Sequence, residues 1–217
     1  MCLACFWAFK SGAVDIDGVK AGVLRQVVKI DPDNIDAHRF LADYYDYSDR
    51  YEEAIRAYKE TVRIEPNDLD AQLNLAFACG SLGRFEEATQ AYREAIRIDP
   101  NDAGTQLHLA FTYQDLCRYE DSIKALKRLI ELEPDIVFLN VLLGRAYVKA
   151  GCPEEAIVAY RHATSMDIDY AEAHRGLGEV YLRTGNMDLA LEEYEILKTL
   201  DEELADELLG LIEEQAQ

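Results

Sequence analysis

The chain has 217 residues, 49% of them hydrophobic and 29% charged, a composition typical of a globular protein and unlike that of a disordered one. Its 22 basic and 42 acidic residues give a formal net charge of −20. This charge argues against a nucleic acid or an anionic membrane surface as partner, because a phosphate backbone is bound by a basic surface.

Membrane insertion and secretion are also disfavoured. No apolar run reaches the ~20 residues that a membrane-spanning helix needs. The first basic residue, Lys10, follows the first apolar stretch, whereas a secretory signal has its basic residues before that stretch. The five cysteines are odd in number and unevenly spaced, which favours reduced thiols over a disulfide framework. We therefore expect a cytoplasmic protein.

A period of 34 residues organises the chain. Four prolines recur at this spacing in similar segments: Pro32, Pro66, Pro100 and Pro134. A fifth segment, "ATSMDIDY", has Ile168 where the next proline is due. Apolar residues recur at helical spacing in two blocks of every period, so each repeat is expected to hold two amphipathic helices, A and B. Positions within a repeat are numbered here so that the proline stands at position 32.

Residues 1–34 form a degenerate first copy. Trp7 and Ala8 occupy two of the helix A columns. Cys2 and Cys5 lie one helical turn apart, but no second pair of this spacing exists to complete a four-ligand zinc site. We interpret the two cysteines as part of a frayed terminal helix, because the outermost repeat of an array is commonly atypical.

Residues 35–200 contain five tandem repeats. Position 8 holds a small residue in every one, which allows helices A and B to approach closely: Ala42, Ala76, Ala110, Gly144 and Gly178. Asn or Asp after the proline supplies an N-cap for the next helix A. Residues 201–217 are predicted to form a C-terminal helix with one apolar face, which caps the last repeat.

The segment Leu73–Asp102, "LNLAFACGSLGRFEEATQAYREAIRIDPND", carries nearly every signature position of the tetratricopeptide repeat. The chain resembles that family over residues 35–200. The resemblance implies an all-α fold, an α-solenoid of stacked antiparallel helix pairs in which every helix A lines a concave groove.

The resemblance also assigns side chains of helix A to a peptide-binding groove, with an apolar centre and a basic C-terminal end. The candidates are Leu73, Phe77, Leu107, Phe111, Phe138, Val141, Arg145, Lys149, Arg175 and Arg183. An exposed apolar patch of this kind usually marks an interaction site.

No catalytic, cofactor or metal site is indicated. The sequence has no HExxH, GxxxxGK, GxSxG or GxGxxG motif. His38 and His174 stand at position 4 of helix A, where a structural role is expected. We therefore predict a protein that is not an enzyme and needs no cofactor.

The expected function is that of a scaffold or adaptor that binds a protein or peptide partner, either an extended peptide or an amphipathic helix, in the groove. One alternative is self-assembly into a homo-oligomer through the degenerate first repeat. Another is a non-catalytic targeting subunit of a larger complex.

Overall fold

The computed structural model describes residues 16–215, and every regular element in that range is an α-helix. The chain divides into two compact parts, an N-terminal part (Met1–Pro100) and a C-terminal part (Asn101–Gln217). Within the described range, no helix has both the length and the apolar character needed to cross a membrane. The expectations for Cys2, Cys5, Trp7 and Ala8 lie outside the described residues.

The N-terminal part has a first helix followed by two antiparallel pairs. Its helices are α1 (Ile16–Ile30), α2 (Ile35–Tyr47), α3 (Tyr51–Ile64), α4 (Leu69–Ser81) and α5 (Phe85–Ile98). Helix α1 packs on α2, and α3 packs on α4, so each pair is stacked on the next.

The C-terminal part has three antiparallel pairs and a last helix. Its helices are α6 (Ala103–Asp115), α7 (Tyr119–Leu132), α8 (Val137–Ala150), α9 (Pro153–Met166), α10 (Ala171–Arg183), α11 (Met187–Leu200) and α12 (Glu202–Gln215). The pairs stack through α7 on α8 and α9 on α10, and α8 also contacts α10 directly. The predicted all-α solenoid of stacked antiparallel helix pairs is thus confirmed.

The turn between helices A and B has one conformation in all five repeats. Its residue at position 15 has a positive φ of 55° to 79°: Asp49, Gly83, Cys117, Gly151 and Gly185. The next backbone N–H donates to the carbonyl five residues earlier, as from Arg84 to Cys79 at 2.9 Å. This left-handed residue with its closing hydrogen bond ends a helix and reverses the chain within a few residues.

The predicted N-caps are present at three of the A helices. Each cap side chain accepts a hydrogen bond from the backbone N–H three residues on, at 2.9–3.0 Å. The caps are Asn34, Asp68 and Asp102. Helices α8 and α10 follow Ile136 and Tyr170, neither of which makes such a bond.

Small residues bring the paired helices together, as the sequence indicates. Position 20 of helix B is fully buried in every repeat: Ala54, Ala88, Ser122, Ala156 and Ala190. At the end of the chain, α12 packs on both α10 and α11. A Cβ at Gly178 would lie 2.5 Å from Leu208 Cδ2, so α12 fits against α10 only because this position is a glycine.

Candidate functional site

Three of the predicted groove residues are aromatic side chains that remain exposed. Phe77 is 45% exposed, and Phe111 and Phe138 are each 37% exposed. The ring of Phe77 meets the ring of Tyr92 edge-on, with centroids 6.0 Å apart. Leu73 and Leu107 are half-buried. When a partner covers a large apolar side chain that is partly exposed to water, the free energy of the complex is lowered.

The prediction that Val141 lines the peptide-binding groove is wrong. Its side chain is fully buried, in the same cluster as Leu177, Val180 and Tyr160. Helix α8 contacts α10 directly, and Leu177 and Val180 of α10 lie in the cluster that buries Val141. Residues at position 5 of the other repeats are only half-buried, whereas close packing takes Val141 into the core.

Three of the four predicted cations have their charge available to a ligand. Arg145, Lys149 and Arg183 are exposed, and no ion pair joins them to another described residue. Arg145 and Lys149 lie four residues apart on α8 and therefore share a face of that helix. We call the six side chains Leu107, Phe111, Phe138, Arg145, Lys149 and Arg183 the A-face of the C-terminal part.

Arg175 is different, because its charge is already neutralised. Its Nη1 lies 2.8 Å from Glu179 Oε1 on α10 and 3.0 Å from Glu207 Oε2 on α12. Glu207 lies on the predicted capping helix, outside the repeat columns that assign Arg175 to the groove. An acidic partner would have to compete with Glu179 and Glu207 for Arg175, so we do not include Arg175 in the A-face.

The same last helix forms one wall of a shallow cavity beside Arg183. The cavity measures about 370 Å³, and Glu179, Leu182 and Leu211 also line it. Gln215 Nε2 donates to the Leu182 carbonyl at 2.9 Å, which fixes the end of α12 on α10. Arg183 is therefore an exposed cation at the edge of a recess that also contains Leu182, Leu211 and Glu214.

Tyr160 was not among the predicted site residues, yet its hydroxyl is distinctive. The ring is buried between two glycines: a Cβ built on Gly144 or Gly176 would lie 2.7 or 2.5 Å from ring atoms. Burial raises the pKa of Tyr160 to about 12, Glu179 adds to this rise, and Arg145 and Arg175 oppose it. The phenol therefore stays neutral near pH 7 and can donate a hydrogen bond.

The N-terminal part has an acidic counterpart of this face. Arg39 is bound to Glu65 at 2.5 Å and to Asp68 at 2.8 Å. Tyr58 donates to Asp43 Oδ1 at 3.1 Å, and burial with the nearby Asp43 charge raises the pKa of this phenol. The polar groups of this region thus largely satisfy one another.

A second cavity, of about 540 Å³, is lined by helices α7, α8 and α9 of the C-terminal part. Lys127, Tyr147 and Val158 are among its lining residues, and Val158 is 69% exposed. Lys127 Nζ stands 5.6 Å from the centre of the Tyr147 ring. No residue of this cavity was predicted as a site residue.

The histidines at position 4 are structural, as expected. His38 Nε2 lies 2.9 Å from the Pro32 carbonyl oxygen. His174 Nε2 donates to the Ile168 carbonyl at 2.8 Å, and its Nδ1 donates to Glu193 Oε2 at 2.6 Å. In the part of the chain that the structure describes, no group of His, Cys, Asp or Glu side chains could hold a metal ion.

Two models of the tetratricopeptide repeat match the sequence. One matches residues 41–103 and 141–205, and the other matches residues 81–143. Together the matches run without a gap over the helix pairs described above. The chain belongs to the tetratricopeptide repeat family. No curated protein matches it.

Solved structures of other tetratricopeptide repeat proteins have the same fold. A crystal structure of MamA superposes with a TM-score of 0.68 at 23% identity, covering 79% of this chain and 94% of that one. MamA 41-end from Desulfovibrio magneticus RS-1 gives 0.65 at 22% identity, with coverages of 78% and 96%. YrrB, described as a TPR protein with an unusual peptide-binding site, gives 0.65 at 18% identity, with coverages of 85% and 96%. At these identities the likeness shows the fold alone.

Proposed function

We propose that this tetratricopeptide repeat protein is a protein-interaction scaffold or adaptor that binds an extended peptide or an amphipathic helix, without catalysing a reaction. The observation that carries the proposal is the A-face of the C-terminal part. It combines two exposed phenylalanines with three cations that have no ion-pair partner among the described residues. Aromatic and Arg side chains are enriched among the residues that dominate binding energy at interfaces.

The charge of the A-face defines the chemistry of the partner. The chain as a whole carries −20, so an acidic peptide is repelled by most of its surface. Arg145, Lys149 and Arg183 supply the local attraction, and Phe111 and Phe138 supply the apolar contact. The partner is therefore expected to carry Asp or Glu residues next to one or two large apolar side chains.

The proposal is tested by selecting peptides that bind the full chain from a random display library and measuring their affinities by fluorescence anisotropy. The double variant Phe111→Ala/Phe138→Ala is expected to bind the selected peptides at least about tenfold more weakly, because two exposed rings are removed. Ile168→Ala is the control, since Ile168 is 74% exposed in the loop before α10. Equal affinities of the double variant and the wild type would contradict the proposal, provided that the far-ultraviolet circular dichroism is unchanged.

Leu73 and Phe77 are proposed as a binding surface of the N-terminal part in its own right. The exposed ring of Phe77, fixed against Tyr92, supports this assignment. Phe77→Ala is expected to lower the affinity of those selected peptides that make apolar contacts with Leu73 and Phe77. It should leave the affinity of peptides that bind only the A-face unchanged.

A second candidate function is self-assembly through the first helix. Val19, Val23 and Ile30 lie along α1 and are 65%, 60% and 85% exposed. An apolar surface of this kind can bury itself against a second copy of the chain. Light scattering of Val19→Asp/Val23→Asp should then give a smaller mass than that of the wild type, whereas Val158→Asp, a control on α9, should not change the mass. A wild type that is monomeric at all concentrations would contradict this candidate.

The third candidate, a non-catalytic targeting subunit of a larger complex, would use the same A-face while catalysis lies on another chain. A cytoplasmic location is also proposed. It is supported by three free thiols, Cys79, Cys117 and Cys152, because free cysteines persist in reducing compartments.

A further inference from the structure

Tyr58 and Tyr160 stand at the same position of helix B in two different repeats, but their hydroxyl groups have different partners. Tyr58 donates to Asp43, which is position 9 of the helix A paired with it. The corresponding residue of α8 is Arg145. A guanidinium can only donate hydrogen bonds, so Arg145 cannot accept the phenolic proton as Asp43 does.

The helix A of the next repeat also differs between the surroundings of Tyr58 and those of Tyr160. Asn74, at position 6 of the next repeat, lines the same cavity as Tyr58. The corresponding residue beside Tyr160 is Gly176, whose backbone lies directly against the ring. Glycine contributes no side chain that could satisfy the phenol or cover it. No described residue accepts a hydrogen bond from the Tyr160 hydroxyl, although the residue as a whole is only 3% exposed.

Of the cations near Tyr160, only Arg145 has no ion pair with another described residue. Arg145, Arg175 and Glu179 are the groups whose charges act on this phenol. Arg175 is paired with Glu179 and Glu207, whereas Arg145 has no ion pair with another described residue. In the first repeat the side chain at position 9 reaches the hydroxyl at position 24, so we expect Arg145, at position 9 of α8, to lie beside the Tyr160 hydroxyl. No described residue supplies an acceptor to either group.

We infer that Tyr160 and Arg145 form a binding site for a carboxylate of the peptide partner. The inference rests on the proposed function and names the chemistry of one of its contacts. A carboxylate fits better than a phosphate, because its single negative charge matches the one unpaired guanidinium, while a dianion would meet repulsion from Glu179. The buried ring fixes the phenol, so little side-chain entropy is lost on binding.

The test uses small carboxylates that have no apolar anchor. The full chain, labelled with ¹⁵N, is titrated with N-acetylglutamate α-methylamide, whose carboxylate is on the side chain, and with N-acetylalaninate, whose carboxylate is terminal. A saturable shift of the Arg145 Nε–H and Gly176 N–H resonances is expected with at least one of them. The compound that binds more tightly shows whether the partner offers a side chain or a C-terminus. Inorganic phosphate at equal ionic strength is expected to bind more weakly.

Two variants show whether the resonance shifts come from binding at Tyr160 and Arg145. Arg145→Gln should abolish saturation, and Tyr160→Phe, which keeps the ring, should weaken binding about tenfold, the size of one hydrogen bond to a charged group. Arg56→Gln, which removes an exposed charge from α3, should leave the binding constant unchanged. The inference is overturned if neither carboxylate gives a saturable shift, if Arg145→Gln binds as the wild type does, or if phosphate binds more tightly.

The result can be separated from that for the proposed function. If Phe111→Ala/Phe138→Ala loses the selected peptides while Tyr160→Phe and Arg145→Gln bind them normally, the peptide-binding function stands and the carboxylate site does not. If the small carboxylates bind as predicted but no peptide depends on the two phenylalanines, the proposed function is contradicted instead.

Discussion

At the scale of single residues, two side chains depart from the repeat in which they lie. Thr89 stands at position 21, where the first and third repeats have Ile55 and Ile123. Its hydroxyl is buried and has no hydrogen-bond partner. Cys117 stands at the turn position where three other repeats have glycine, and its φ is 55°. Each departure costs free energy that a single substitution can recover.

Thr89→Val is expected to raise the free energy of unfolding by about 1 kcal/mol, because it replaces a buried unsatisfied hydroxyl with a methyl group of similar size. Urea unfolding of the full chain measures the change. Thr61→Val is the matched control: Thr61 is equally buried, but its hydroxyl donates to the Ala57 carbonyl at 3.1 Å. A control that gains as much stability as Thr89→Val would refute the explanation.

Cys117→Gly should stabilise the C-terminal part by about 0.5–1 kcal/mol, because glycine adopts a positive φ without the steric cost of a Cβ. The same urea experiment applies. Leu116→Gly, one residue earlier, adds the same conformational entropy to the unfolded chain but relieves no backbone strain. It should therefore lower the free energy of unfolding. A loss of stability in Cys117→Gly would show that the side chain contributes more than its conformation costs.

At the scale of helices, α8 and α10 each place a glycine against the Tyr160 ring of α9. The 34-residue period predicted the helices, their turns and the small residues between paired helices, since these depend on local spacing. It did not predict the burial of Val141 or the hydroxyl of Tyr160. Both depend on contacts between helices of different repeats. Val141 is buried in a cluster with Leu177 and Val180 of α10, and the Tyr160 ring lies against Gly176 of α10.

Gly176→Ala should lower the free energy of unfolding by about 1–3 kcal/mol, because the new Cβ would overlap the Tyr160 ring in a packed core. Its Cβ would lie 2.5 Å from two ring atoms. Gly22→Ala in α1 is the control, since a Cβ there meets nothing within 4 Å; it should stabilise by about 1 kcal/mol through helix propensity. Equal responses of the two variants would argue against the close contact.

Helices α10 and α11 are joined by a charge-dependent contact. Both ring nitrogens of His174 donate, to Glu193 and to Ile168, so the bonded form is the imidazolium. The hydrogen bond to Glu193 raises the pKa of His174 above the ordinary 6.5, and burial opposes the rise. The nearby Asp169 also raises the pKa of His174.

Because the folded pKa of His174 is higher than the unfolded one, this contact stabilises fully below the unfolded pKa and loses its effect as the pH rises through the folded pKa. The wild type should therefore lose stability relative to His174→Gln as the pH rises above about 6.5. Urea midpoints of both proteins below and above that pH measure the difference. A constant difference would contradict the assignment of a charged His174.

At the scale of the whole molecule, charge sets the conditions for binding. The attraction of an acidic peptide to Arg145 and Lys149 acts against a net charge of −20. Raising the salt concentration from roughly 0.1 M to roughly 1 M shortens the screening length from about 10 Å to about 3 Å. Selected acidic peptides should bind more weakly at high salt, and Arg145→Gln/Lys149→Gln should reduce this dependence. Binding that strengthens with salt would point to apolar contacts alone.

The sequence predicted the repeat family, which follows from the 34-residue period. It also predicted the positions of the exposed aromatic residues, which follow from the face of helix A on which they lie. It did not indicate the ion pair of Arg175 with Glu207 on α12. That contact lies outside the repeats, so no column of the repeat could have indicated it.

The central claim is that the A-face of the C-terminal part binds the partner. The most direct test is a map of amide chemical shifts of the full chain on addition of a selected peptide. We expect the largest changes at Phe111, Phe138 and Arg145. Changes concentrated instead on Lys127, Tyr147 and Val158, around the cavity lined by α7, α8 and α9, would show that the partner binds elsewhere.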